Sequence, residues 1–148
     1  SRHPVIKFIK PLSFLLFCEP QAAPPDLAGM LEYFLSLPEP PTAVIFANDW
    51  TAAGFYNACL ERQISIPETF SVAAFDNTVS ICEILHPKLS SYQLPLFEIA
   101  YRAAELLFGM IESDPPDGRR EPDIHYLFGK LVLRDSIKPL HTSFRSCK

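Results

Sequence analysis

Two short apolar runs, Ala43–Ala47 (AVIFA) and Phe70–Phe75 (FSVAAF), flank a segment that reads as one helix. Each run ends in polar residues: Asn48-Asp49 after the first, Asp76-Asn77 after the second. Neither run alternates apolar with polar, so each reads as a buried strand of a parallel sheet rather than as the edge of a hairpin. A strand–helix–strand unit with polar groups at the carboxyl ends of its strands constrains everything around it. In open α/β sheets, ligands sit outside those ends. A candidate site is therefore placed at Asn48, Asp49 and Asp76 from the pattern alone.

The rest of the chain extends the same alternation. Leu12–Cys18 is a nearly continuous apolar run and reads as a strand. Asp26 is suited to cap a helix reaching about Leu37. Leu27, Met30, Leu31, Phe34 and Leu35 recur at the spacing of one helical face. Asn48 or Asp49 caps the next helix, which reaches about Arg62. Thr78–Leu85 reads as a short helix and Lys88–Tyr92 as a short strand. Pro95 fits the first turn of a helix running to about Ile111. Ser113–Pro122 is a polar, proline-rich loop, and Asp123–Asp135 is strand-like, with Gly129 marking a turn or bulge. Strands alternating with helices imply right-handed crossovers and a mostly parallel, three-layer α/β sheet flanked by helices.

Composition narrows the function classes. With 148 residues the chain is about one domain. A net charge of -4 with no basic stripe argues against non-specific nucleic-acid binding by this chain. The four cysteines, Cys18, Cys59, Cys82 and Cys147, form no Cys-x-x-Cys pair and have no histidine at ligand spacing, so no metal site is expected. Three of them sit in apolar runs and read as small core residues of a reducing compartment, which makes a cytoplasmic location the expectation. Arg2, Lys7 and Lys10 before LSFLLF sketch a signal peptide, but the apolar run is short and Pro11 interrupts its entry. No stretch is long enough to span a membrane. His3, His86, His125 and His141 are scattered and suggest neither a triad nor a metal. No cofactor is indicated.

Asp76 carries the most information. It ends an apolar strand, where a carboxylate is costly unless paired or solvated. It reads as an acceptor for ligand hydroxyls, as a catalytic nucleophile, or as a loop aspartate bonded to nearby amides. The nucleophile version resembles haloacid-dehalogenase-type phosphatases, but their second aspartate, two residues on, is replaced here by Thr78. No glycine-rich phosphate loop and no Gly-x-Ser-x-Gly elbow supports it. Of Asn48 and Asp49, one caps the helix and the other is free to face a ligand. Trp50 opens the helix, placed to stack on a ligand, join an interface or pack in the core.

At this point the residues resemble a family. Pro41–Gly54, PTAVIFANDWTAAG, is similar to the PTAV-x-x-A-N-D-x-x-A-x-G segment of LacI/GalR-type transcription regulators. Ile66-Pro67-Glu68 with Phe70–Asn77 resembles their V-P-x-D-V-S-V-V-G-F/Y-D-D/N. Pro87–Ser91 resembles P-x-L-T-T, Ala103–Leu107 resembles A-A-x-x-L-L, and Leu131–Ser136 resembles L-V-x-R-x-S. Five segments in order, over about residues 12–137, make the likeness specific.

The resemblance implies one lobe of a periplasmic-binding-protein-like type I fold, the C-terminal effector-binding and dimerisation part of such a regulator. It implies a truncated lead-in over residues 1–11, the lobe over 12–137 and a tail over 138–148. It implies no enzyme, and DNA contact only through a helix-turn-helix outside this sequence. Asp76 falls where the family's aspartate accepts bonds from sugar or ribose hydroxyls, with Asn48 and Asp49 beside it. The implied partners are a sugar- or nucleoside-like effector, bound weakly by this lobe alone, and a second copy of the chain. The implied dimer interface uses Trp50, Ala53, Ile81 and Ile84, with Phe55, Tyr56 and Leu85 nearby. Two departures stand out. The family's stacking aromatic falls near Ala22, and its glutamine after the T-T strand falls at Leu94. The helix over Leu96–Ile111 belongs to the other lobe in the intact family, so here its apolar face is expected to find cover on its own sheet or on another copy. The alternative within this architecture is a periplasmic sugar-type solute-binding protein.

Overall fold

A computed structural model describes residues 14–17, 26–112 and 124–139. Its elements are β1 (Phe14–Phe17), α1 (Leu27–Ser36), β2 (Ala43–Phe46), α2 (Asp49–Glu61), β3 (Ser71–Phe75), α3 (Val79–Cys82), β4 (Ser90–Gln93), α4 (Leu96–Glu112) and β5 (Lys130–Val132). The strands form one sheet in the order β1-β2-β3-β4-β5. β1 to β4 are parallel, and β5 lies antiparallel on β4 with Tyr92 opposite Leu131. The mostly parallel sheet flanked by helices is therefore as expected.

Strand order decides where the helices go. Neighbours in sequence are neighbours in the sheet, and right-handed crossovers between them put every connecting helix on one face. α1 and α2 accordingly share a core with the sheet. On β2, Val44 and Phe46 are buried while Ala43 and Ile45 are only half-buried; on β3, Val72 and Ala74 alternate with Ala73 and Phe75 in the same way. The uniformly apolar strands thus have one dominant buried face. The described residues form two of the three expected layers.

The core is aromatic. Phe55 of α2 lies 5.1 Å from Phe46, 5.7 Å from Phe70 and 6.4 Å from Phe34 between ring centroids. Each fully buried side chain of this size contributes about 1.5–3 kcal/mol relative to exposure. α1 buries Leu31 and Phe34, with Leu27 and Met30 packed at its edge, whereas Leu35, expected on the same stripe, is exposed. Cys59 and Cys82 are buried free thiols, as their apolar surroundings suggested; burial pushes both up to about 11. Cys18 and Cys147 lie outside the described residues, as do Ala22 and the basic residues Arg2, Lys7 and Lys10 of the signal-like N-terminus, whose apolar Phe14–Phe17 forms β1.

Both helix caps follow local chemistry. The Asp26 carboxylate accepts from Gly29 N at 2.8 Å, and Asn48 Oδ1 accepts from Thr51 N at 2.8 Å. The C-terminal segment departs from its expected form. Among the described residues of the strand-like stretch 123–135, only Lys130–Val132 pairs in the sheet. Gly129 is required there by close approach, because a Cβ would run into the Gln93 carbonyl and the Tyr92 ring. Beyond β5 the chain returns to the sheet: Ser136 O accepts from Val72 N at 2.8 Å, and Lys138 N donates to Ser71 Oγ at 3.1 Å. The expected tail therefore starts as an anchored segment.

α4 narrows an expectation that had two branches, cover on its own sheet or on another copy of the chain. It does not find cover on its own sheet: none of its residues is buried, and Phe97 is 78% exposed. α1 and α2 cover one face of the sheet, and on neither face does α4 pack closely enough to bury a side chain.

Candidate functional site

The turn after β3 is the chemical centre of the carboxyl end. Asp76 has φ 99° and Asn77 φ 53°, both left-handed. Aspartate and asparagine tolerate this region better than other side chains, yet each such residue costs of order 1 kcal/mol and persists only where its surroundings fix it. Here every backbone amide of the turn is held. Asp76 N donates to Tyr92 O at 3.0 Å, Asn77 N to Ser91 Oγ at 3.0 Å, and Thr78 N to Asp49 Oδ2 at 2.5 Å. Ser91 Oγ in turn donates to Asp49 Oδ1 at 2.6 Å. The amides are thus used up internally, and the Asp76 carboxylate projects into solvent.

That carboxylate lies at the rim of a cavity of about 580 Å³. Gln93 at the end of β4, Leu94 and Pro95 after it, Leu96, Phe97 and Glu98 of α4, and Phe128, Gly129 and Lys130 around β5 complete its wall. Asp76, Glu98, Lys130 and Gln93 supply acceptors and donors, and Phe97 and Phe128 supply flat apolar faces. This mixture suits a small, uncharged, polyhydroxylated ring: carboxylate and amide groups bond hydroxyls, and aromatic faces cover the ring's C–H side. Partial desolvation, then the charge of nearby Asp49, raise the Asp76 carboxyl from its ordinary value.

The three residues expected at the site separate into different roles. Asp76 is at the cavity. Asn48 is half-buried, and its oxygen accepts from Thr51 N and, at 3.0 Å, from Thr51 Oγ1; it does not line the cavity. Asp49 is fully buried, and both its oxygens are taken by Thr78 and Ser91. It stands behind the Asp76 turn rather than beside it. Leu94, the departure from glutamine that the resemblance implied, lines the cavity, and so does Gln93 next to it. Sequence reasoning missed Gln93, Lys130, Phe97 and Phe128, because the crossing of β4 and β5 that gathers them is a long-range pairing.

The expected interface residues also separate. Trp50 is 73% and Ile84 72% exposed, and Ala53 is half-buried, less exposed than either. Ile81, at 5%, and Phe55 and Tyr56 point into the core and cannot meet a partner, which corrects their assignment. Leu60 and Val79, not singled out from sequence, are exposed on α2 and α3. Trp50, Ala53, Asn57 and Leu60 fall on one stripe of α2 by their spacing.

Among the described residues, no group of three or more acidic, histidine or cysteine side chains is placed to hold a metal ion. No helix among them is long and apolar enough to cross a membrane.

Comparison with known proteins adds the context. The profile of the family described as periplasmic binding protein-like domain matches residues 17–137. The probable HTH-type transcriptional repressor ExuR of Bacillus subtilis is 31% identical over 112 residues, which are 76% of this chain and 32% of that protein. The HTH-type transcriptional repressor PurR of Mannheimia succiniciproducens is 33% identical over 118 residues, 79% of this chain and 34% of that protein. The chain spans about a third of the length of these relatives. A LacI family transcriptional regulator from Enterococcus faecalis, solved with bound ribose, superposes with a TM-score of 0.63 at 28% identity, covering 77% of this chain and 40% of that one.

Proposed function

Since the chain belongs to the periplasmic-binding-protein-like domain family, as the C-terminal part of a LacI-type regulator's effector domain, we propose that it senses a small sugar- or nucleoside-like effector through Asp76. The observation that carries this is the Asp76 carboxylate, held outward by a fully bonded turn at the rim of the 580 Å³ cavity. In this reading Asp76 accepts hydroxyl bonds, Gln93 and Lys130 donate, and Phe97 or Phe128 covers the ring. Asn48 contributes from the neighbouring strand end when the cleft closes. Asp49 contributes indirectly by fixing the turn. The bound ribose of the Enterococcus regulator supports the ligand class.

The mechanism is closure of two lobes on the effector, which shifts DNA-binding segments between operator-competent and incompetent arrangements. Those segments lie outside this chain, and the repressor names of its relatives support them. The protein works in the cytoplasm by this reading, and performs no catalysis. Dimerisation uses the α2–α3 face with Trp50, Ala53 and Ile84, joined by Leu60 and Val79. Sedimentation equilibrium tests that: a dimer weakened by Trp50→Ala supports it, and an unchanged dimer or a monomeric wild type opposes it.

Calorimetric titration with D-ribose, D-galactose and uridine tests the effector reading. One side of a cleft binds weakly, so a Kd of about 1 mM or above, lost in Asp76→Asn, is expected. Micromolar binding that survives Asp76→Asn overturns it.

A further inference from the structure

The Arg134 guanidinium touches both regions to which the proposed function gives a role, and nothing in that function uses it. Its side chain is only 10% exposed. Nη2 donates to Asn77 Oδ1 at 2.9 Å, Nε to Glu83 Oε1 at 2.7 Å, and Nη1 to Leu89 O at 2.8 Å. Its backbone N donates to Ser90 Oγ at 2.8 Å, which fixes where the side chain starts. Asn77 is the left-handed residue next to Asp76. Glu83 ends α3 and precedes Ile84, which stands out on the proposed dimer face.

We infer that Arg134 is a positioning residue that couples the Asp76 turn at the cavity to the Glu83–Ile84 corner at the α2–α3 face. A planar guanidinium holds three acceptors in fixed relative directions, which a lysine ammonium on its flexible stem does not. A shift of Glu83 on association with a partner therefore pulls on Asn77 through one rigid group, and a shift of the turn on ligand binding pulls on Glu83. Such coupling is reciprocal by linkage. Glu83 is partly tethered from outside as well, with Lys88 Nζ at 2.7 Å from its other oxygen. Movement at this corner thus has a defined path to the turn and a defined restraint against it.

The functional purpose of the link rests on reading Asp76 as the effector contact, but its test needs no effector. Amide hydrogen exchange by NMR on the 148-residue chain is measured in the wild type, Glu83→Gln, Arg134→Lys and the double variant. Glu83→Gln is a partly exposed substitution that leaves the core intact, with Val44 and Val72 protection as the control. It is expected to raise exchange at Asn77 and Thr78 about threefold to fivefold, the lower part of the range by which mutations along a contact network change coupling. Arg134→Lys is expected to raise the same amides, and adding Glu83→Gln to it to change them less than about 1.5-fold. An unchanged Asn77 and Thr78 in Glu83→Gln overturns the inference. So does an equal increase in both backgrounds, which would assign the effect to Glu83 without Arg134. Loss of ligand binding in the titration above, or its absence, bears on the effector reading and leaves this result standing.

Discussion

Residues 76–78 and residues 96–112 leave the same end of the same sheet and are held by opposite means. The turn is polar, and each of its amides has a partner on β4 or on Asp49. The helix is apolar around much of its surface, and none of its side chains is buried. The turn can be satisfied within this lobe because hydrogen bonds need only a few correctly placed atoms. The helix cannot, because hydrophobic stabilisation scales with the area removed from water. A chain can therefore carry a well-built contact point and an uncovered helix side by side. The first is ready to act, and the second needs a further surface.

The largest expected effect breaks the ordered side of this contrast. Asp49→Ala strips Thr78 N and Ser91 Oγ of their acceptor in a buried place, and unsatisfied buried groups cost about 1–3 kcal/mol each. A loss of about 2–3 kcal/mol in the urea unfolding free energy is expected; a loss below about 0.5 kcal/mol would show that water replaces the carboxylate.

Asp76→Asn probes the same turn more gently, through pH. The folded-state pKa of Asp76 is raised by desolvation and by Asp49, so its charged form is disfavoured on folding. That destabilisation is absent below the ordinary aspartate pKa, grows as pH rises through the folded value, and persists at neutral pH. Asp76→Asn should therefore match the wild type in acid and exceed it at pH 7, read as a difference in unfolding midpoint that opens as pH rises. A difference of opposite sign means the carboxylate is stabilised in the folded protein.

The smallest effect sharpens the other side. Phe108→Lys on α4 removes an exposed ring and should alter the unfolding free energy by less than about 0.5 kcal/mol, as surface changes do. A loss above about 1.5 kcal/mol would show that α4 is covered in solution.

What was legible in sequence follows from the range of the interactions. Asp26 could be read as a cap, and the next cap narrowed to Asn48 or Asp49, because a cap is decided within three residues. The strands could be read because apolar runs between turn signals leave few alternatives. Asp76 could be singled out because its place at a strand end is itself a local pattern. Asp49 could not be separated from Asn48, since its partners Thr78 and Ser91 belong to elements far along the chain. Arg134 was visible as part of L-V-L-R-D-S but not as a hub, because its three acceptors come from three different segments. α2 defeated any inside–outside assignment: it carries large side chains on both faces, Trp50 and Leu60 outward, Phe55 and Tyr56 inward. Only packing against Phe46 and Phe70 decides which face is which.

The sequential strand order described above also says something about how the chain assembles. β2, β3 and β4 each pair with the strand that precedes them, so β1 through β4 can be laid down in the order they are synthesised, each pairing closing a loop of modest length. Residues 134–138 are the exception. They come back past β5 and α4 to bond Val72, Ser90 and Ser71, so they are the last to dock, and Ser136, buried with bonds to Val72 and Ser90, is the point at which assembly is complete.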